Sequence, residues 1–150
     1  MQVADSFIVD APLDRVWSMI TDPEVVGPCI PGCQGIEVTG PTSYKADIRV
    51  AVGPIKTIFS VTVEKTEERP PRFAASTTKG EEGGRASTLN ATSTLTLSEV
   101  EDGTEIAYAS DVSLFGRLGK FGLGVMKKKA RDIGRTFAEN FRERAEGNAA

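Results

Sequence analysis

Residues 44–63 read YKADIRVAVGPIKTIFSVTV, and the period of this stretch decides the fold. Tyr44, Ala46, Ile48, Val50 and Val52 alternate with Lys45, Asp47 and Arg49, giving a strand with one apolar and one wet face. Gly53-Pro54 breaks the run, and Ile55, Thr57, Phe59, Val61 and Val63 resume it.

The same period extends outward from this pair. It begins near residue 36 and continues to Pro70-Pro71, which ends the second long strand. Phe73 to Lys79 reads as a short strand and Gly80 to Gly84 as a hairpin turn. Leu89, Ala91, Ser93, Leu95 and Leu97 form another inward row, with Ala75 also read as inward. After the turn Glu101-Asp102-Gly103, the last row is Ile106, Tyr108, Ser110, Val112 and Leu114. Short turns between consecutive strands make an antiparallel meander.

Before the meander, Val3, Phe7 and Val9 mark a first strand. Asp10 to Asp14 opens a helix carrying Val16, Trp17 and Ile20, and Asp22-Pro23-Glu24 caps a second short helix ending in Gly27-Pro28. After the meander, Leu118, Phe121, Val125, Met126, Ala130, Ile133, Phe137 and Phe141 recur at helical spacing, with Lys127, Lys128, Arg131 and Arg135 outside. The expected fold class is α+β. Two short helices follow the first strand, and a curved antiparallel sheet of about six to seven strands wraps a long C-terminal helix. Residues 1–146 read as one domain and 147–150 as a polar tail.

Composition removes several function classes. The chain has no histidine, which excludes a histidine-based triad, an HExxH zinc site and an imidazole switch. Two cysteines are too few for a disulfide scaffold. Cys29 and Cys33 read as small residues shaping the Pro31-Gly32 turn, or as a regulatory disulfide. Residues 1–116 carry nine Lys and Arg against seventeen Asp and Glu, whereas 117–144 carry nine against three. The acidic body argues against nucleic acid, and the basic last segment reads as a solvated face or as a site for anionic lipid or an acidic partner. No secretory signal and no membrane-length apolar run is present, so a cytoplasmic protein is expected.

Leu114 to Gly124 is the most unusual stretch, with glycines at 116, 119, 122 and 124 where a helix is expected. It reads as a frayed helix start, or as a mobile entrance whose Phe115, Leu118, Phe121 and Leu123 sit between Arg117 and Lys120. The inward rows either pack the helix closely or leave a hollow for an apolar guest. For an enzyme the candidate acid–base groups reduce to Tyr44, Tyr108, Ser93, Ser110 and Lys79, without an evident inward carboxylate. A scaffold with a filled core is the third reading.

The order of elements resembles the helix-grip fold of the START-like (SRPBCC) superfamily. Phe7 with Ala11-Pro12 and Val16-Trp17, Asp22-Pro23-Glu24, Cys29-Ile30-Pro31-Gly32-Cys33, Tyr44, Val52-Gly53-Pro54-Ile55, Gly83-Gly84-Arg85-Ala86, Thr104 with Ile106-Ala107-Tyr108, and Gly116 to Gly124 resemble one branch of it. That branch is the CoxG family, the G-subunit family of carbon monoxide dehydrogenase. The resemblance implies a non-catalytic accessory protein without covalent cofactor, which binds an isoprenoid quinone (menaquinone or ubiquinone) or another hydrophobic small molecule. It also implies recruitment of a molybdenum hydroxylase-type carbon monoxide dehydrogenase, peripherally, to the cytoplasmic face of the membrane. The guest is then expected between sheet and last helix, against Ile30, Tyr44, Ile48, Val50, Phe59, Val61, Phe73, Leu89, Ala91, Tyr108, Val112, Leu118, Phe121, Val125 and Met126. Entry is expected near Phe115 to Gly124, with Phe115, Arg117, Lys120, Leu123, Lys127 and Lys128 docking to membrane or partner. Such relatives often continue into a polar linker and a hydrophobic anchor. This sequence ends at Ala150 without one, so either it is a piece of a longer chain or the basic helix and apolar entrance take the anchor's place.

Overall fold

The computed structural model describes residues 1–147. Of the expected polar tail only Gly147 falls among them. Strand β1 (Gln2–Val9) is followed by helices α1 (Leu13–Ile20) and α2 (Pro23–Cys29), then by six strands. These are β2 (Cys33–Gly40), β3 (Ser43–Val52), β4 (Ile55–Arg69), β5 (Phe73–Glu82), β6 (Ser87–Val100) and β7 (Gly103–Gly116). A 3₁₀ turn (Leu118–Phe121) leads to helix α3 (Leu123–Arg142), and a π turn (Glu143–Gly147) closes the described chain. The sheet is antiparallel throughout, in the order β1-β7-β6-β5-β4-β3-β2. This is the expected architecture, a seven-stranded curved sheet with a long helix on its inner face.

Local chemistry explains the two short helices. The Asp22 carboxylate accepts a hydrogen bond from the Glu24 amide at 3.0 Å, and Pro23 occupies the first turn, where no amide is needed. Helix α2 continues through Gly27-Pro28 to Cys29, one residue past the expected stop. In α1, Leu13 and Val16 face inward and are buried.

Three boundaries differ from the sequence reading. Strand β2 starts at Cys33 rather than near 36. Gly80 is not in a turn; it sits inside β5, opposite Val61 and Leu89, and the turn is made by Gly83–Arg85. A side chain at Gly80 would meet Val61 Cγ1 at 2.8 Å, so close strand packing, not chain reversal, is what requires glycine here. The last helix is also not continuous. Gly122, at φ +89°, separates the 3₁₀ turn from α3, because a left-handed residue cannot carry α-helical hydrogen bonding onward.

The interior divides into two cores. The first joins Phe7, Val9, Leu13, Val16, Leu97 and Ile106 to the C-terminal part of α3 through Ala138 and Phe141, and to the π turn through Ala145. Phe141 is fully buried, stacked on Phe137 and edge-on to Phe7. The second core, at the opposite end of the sheet, is built on Val52, Phe59 and Leu118, with Val50, Val61, Leu89, Leu114, Phe121 and Met126 packed against them. Helix α3 spans from one to the other.

Candidate functional site

Strand register fixes what faces the helix between the two cores. One cross-strand row runs Tyr44, Val63, Thr78, Ala91, Val112, and the next runs Ser76, Ser93, Ser110. Ile48, Val63, Ala91 and Val112, with Ile133 on α3, are half-buried and pack against neither core. Apolar side chains that face a helix yet keep solvent contact mark an open trough rather than a filled interior. Its floor is made of small residues, and Ser93 and Ser110 spend their hydroxyls on each other at 2.8 Å.

One end of the trough closes into a cavity of 190 Å³ between the sheet and the α1–α2 corner. Ile20, Thr21, Pro23 and Val26 form its roof, and Tyr44, Val63, Lys65, Ser76, Ser93, Leu95 and Tyr108 line the sheet side. This is less than the roughly 300 Å³ of a typical small-ligand pocket, room for a ring-sized group. Lys65 donates from Nζ to the Thr21 carbonyl at 3.1 Å, which ties the roof to β4. Burial pushes the Tyr44 and Tyr108 phenols up, and Asp5 adds to the effect at Tyr108, so both stay protonated donors at neutral pH. Larger hollows lie elsewhere. One of 650 Å³ crosses the outer face of β2 to β5, and one of 780 Å³ lies beside Glu99, Glu101 and Asp102.

The entrance expected at Phe115 to Gly124 is built differently. Arg117 is not a free docking cation. Its Nε donates to Glu82 Oε1 at 2.8 Å and its Nη2 to Oε2 at 2.6 Å. Ser87 donates its hydroxyl to the same carboxylate at 2.8 Å and accepts the Leu118 amide at 3.0 Å. Leu118 is 1% exposed and belongs to the second core, so the 3₁₀ turn is pinned in place. The Arg117 guanidinium, with hydroxyls of Thr57 and Ser87, holds the Glu82 carboxyl down at about 2 against the desolvation that would raise it.

The predicted guest-binding residues therefore fall into groups. Tyr44 and Tyr108 line the cavity; Ile48, Ala91 and Val112 line the trough. Val50, Phe59, Val61, Leu89, Leu118, Phe121 and Met126 are part of the second core. Ile30 caps the end of α2, away from the cavity lining. Phe73 pairs with Thr96 on the outer face, beneath the Arg69 guanidinium at 4.4 Å, because its odd register position points away from α3. Ala75 and Lys79 share that face. Val125 is 47% exposed, since the break at Gly122 resets the helical phase before it.

Of the docking residues, Phe115 and Leu123 are well exposed, as are Lys120 and Lys128, while Lys127 is half-buried. Lys128 also pairs with Asp132 at 3.1 Å. The sequence reading missed Glu82, Lys65 and Ser76, and it placed Val63 in the apolar row without counting it among the guest-binding residues. Counting β5 in steps of two from Ser76 through Thr78 and Gly80 would have placed Glu82 inside. Among the described residues no three His, Cys, Asp or Glu side chains are grouped to hold a metal ion, and no helix is long and apolar enough to cross a membrane.

Comparison with solved structures agrees with this architecture. A conserved protein from Geobacillus kaustophilus superposes with a TM-score of 0.90 at 23% identity, over 98% of this chain and 96% of that one. A START superfamily protein from Mycobacterium smegmatis gives 0.70 at 15% identity over 97% of both chains. The Thermus thermophilus protein TTHA0849 gives 0.72 at 14% identity over 100% of both. At these identities the likeness shows the fold alone, which is START-like. No curated protein matches the sequence. The family model for the carbon monoxide dehydrogenase G-subunit (CoxG) matches residues 6–146, nearly the whole length, and the chain therefore belongs to the CoxG family.

Proposed function

We propose that this chain is a non-catalytic carrier that holds an isoprenoid quinone, menaquinone or ubiquinone, or a similar lipid in the trough beneath α3. On this reading it brings a molybdenum-containing carbon monoxide dehydrogenase to the inner surface of the cell membrane. Family membership and the START-like fold support a ligand-binding accessory role. The observation that carries the proposal is the half-buried apolar strip Ile48, Val63, Ala91, Val112 and Ile133, which lies between two cores and belongs to neither.

An enzyme that reduces a water-insoluble acceptor needs that acceptor shielded from water. At about 25 cal/mol per Å² of apolar surface withdrawn from water, several hundred Å² of guest contributes on the order of 10 kcal/mol before the costs of association. The non-catalytic reading is supported by how the inward carboxylate is used. Glu82, opposite Phe59 of the second core, is held by Arg117, and Asp5, the carboxylate in register with Tyr108, is exposed. Phe115, Leu123 and Val125 are exposed in a segment that also carries the exposed Lys120 and Lys128, a composition that suits an anionic bilayer surface.

The test is mass spectrometry of organic extracts from protein purified without detergent, followed by titration with a short-chain menaquinone. A co-purifying quinone or lipid and saturable uptake are expected. A clean apo spectrum with no uptake overturns the proposal.

A further inference from the structure

We infer that the β3–β4 hairpin is a second membrane contact, separate from α3, which lays Ile58 with Arg49 and Lys56 against an anionic bilayer surface. The inference rests on the membrane-recruitment reading above and extends the contact from the helix to the sheet.

The hairpin turns on Gly53-Pro54, with Val52 opposite Ile55. Side chains alternate between the faces from there, so Val50, Val52 and Ile55 join the second core. The outer face carries two neighbouring pairs, Ala51 opposite Lys56 and Arg49 opposite Ile58. All four residues are exposed, Ile58 at 43%. The first carboxylate on that face of either strand is Asp47, one pair further from the turn, and it accepts the Ser60 hydroxyl at 2.7 Å. An exposed apolar side chain between two cations suits a bilayer interface, where the isoleucine enters the acyl boundary and the long basic side chains reach the phosphates.

Contacts place this hairpin beside the segment that leads to α3. A side chain at Gly53 would meet Phe121 Cε1 at 3.1 Å. Ile55, Leu114, Phe121 and Met126 all pack on the second core, so the hairpin, the end of β7, the 3₁₀ turn and the first turn of α3 surround one end of the molecule. The exposed apolar residues Ile58, Phe115, Leu123 and Val125 lie on these same elements.

Charge selects the bilayer and the orientation. Carboxylates at this end are already neutralised: Glu82 by Arg117, Glu81 by Arg85 at 3.4 Å, and Asp132 by Lys128 at 3.1 Å and Arg135 at 3.8 Å. Among the described residues Arg49, Lys56, Lys120 and Lys127 form no ion pair. The far end has the opposite sign. Strand β6 runs from Ser87, bonded here to Glu82 and the Leu118 amide, to Val100, where Asp10, Glu101, Asp102 and Glu146 line the 780 Å³ hollow. An anionic surface attracts one end and repels the other, so the strands stand steeply on the bilayer with the hairpin against it.

The experiment uses vesicles of phosphatidylglycerol with phosphatidylcholine, and of phosphatidylcholine alone. Ile58→Trp and Ile8→Trp place an indole at each end, at sites 43% and 41% exposed, and lipids brominated on their acyl chains quench an indole that enters the interface. Trp17 packs on the first core, so wild type supplies the baseline. Quenching above that baseline is expected for Ile58→Trp and not for Ile8→Trp. Arg49→Gln with Lys56→Gln is expected to weaken binding to the anionic vesicles about 25-fold at low salt, roughly fivefold per cation. Thermal midpoints should stay at the wild-type value, because all the replaced side chains are exposed. If wild type binds the anionic vesicles but Ile58→Trp is not quenched, or the double variant binds as wild type does, the hairpin contact is wrong and the membrane reading stands. Equal binding of wild type to neutral vesicles overturns the charge argument and the hairpin contact with it. If wild type binds no vesicle, both readings fall, and capture by polyglutamate in that case assigns this end to an acidic protein instead.

Discussion

Arg117 clamps Glu82 with two parallel hydrogen bonds, of 2.8 and 2.6 Å, although the carboxylate is 1% exposed and the guanidinium is about half in water. The pair joins the end of β5 to the start of the 3₁₀ turn, and Ser87 extends it to the Leu118 amide. A buried carboxylate so placed is tolerated only while its partner is present.

Removing the cation should therefore cost stability rather than membrane affinity. Arg117→Ala is expected to lower the melting temperature by several degrees, and Arg117→Lys to recover part of the loss because one of the two bonds can be remade. Thermal unfolding followed by circular dichroism reads both.

Acid should act at the same place. The Glu82 carboxyl titrates at about 2 in the folded chain against 4.5 ordinarily, so between those values the unfolded chain binds the extra proton. The stability contributed is complete above pH 4.5 and is lost as pH falls through that window toward 2. Glu82→Gln should flatten this part of the acid limb in urea-unfolding midpoints measured against pH. An unchanged limb would remove Glu82 as its source.

At Gly134 the effect of alanine depends on Tyr108. Alanine favours a helix interior by about 1 kcal/mol over glycine, but its Cβ would crowd the Tyr108 hydroxyl. Gly134→Ala should give little or no gain in wild type and stabilise by about 1 kcal/mol in a Tyr108→Phe background, where the hydroxyl is gone. Chemical denaturation of the four proteins supplies the cycle.

Phe141 anchors α3 in the first core. Phe141→Ala should destabilise by about 3–5 kcal/mol, since the ring is fully buried between Phe7 and Phe137. Denaturant unfolding reads this directly.

Docking through the exposed Phe115 and Leu123 is tested by vesicles. Phe115→Glu with Leu123→Glu should reduce co-sedimentation with anionic vesicles without shifting the melting temperature, since both side chains are mostly exposed. Loss of stability without loss of vesicle binding would count against a docking role.

The strands are legible because one face of each must be apolar, and the turns because Gly53-Pro54, Pro70-Pro71 and Asp102-Gly103 stop that alternation. What escapes depends on phase. Reading Gly80 as a turn ends β5 too early, which hides Glu82 on the inner face. Size and apolarity point Phe73 inward, although its register with Thr96 puts it outside. Helical spacing runs smoothly through Gly122, and a single left-handed residue leaves no trace in such a pattern. The cavity needs the curl of the sheet, which brings Tyr44 and Tyr108 together from strands far apart in order, and no local signal encodes that curl. The family resemblance supplies the architecture but cannot separate Ile48 in the trough from Val50 in the second core.

The separation of the interior into two packed ends has an evolutionary corollary. Ile48, Ala91 and Val112 are half-buried and outside both clusters, so conservative exchanges there cost less than exchanges at Leu118 or Phe141. On the carrier proposal, descendants of such a chain can change the cargo they accept while inheriting the frame intact, and selectivity can drift faster than shape.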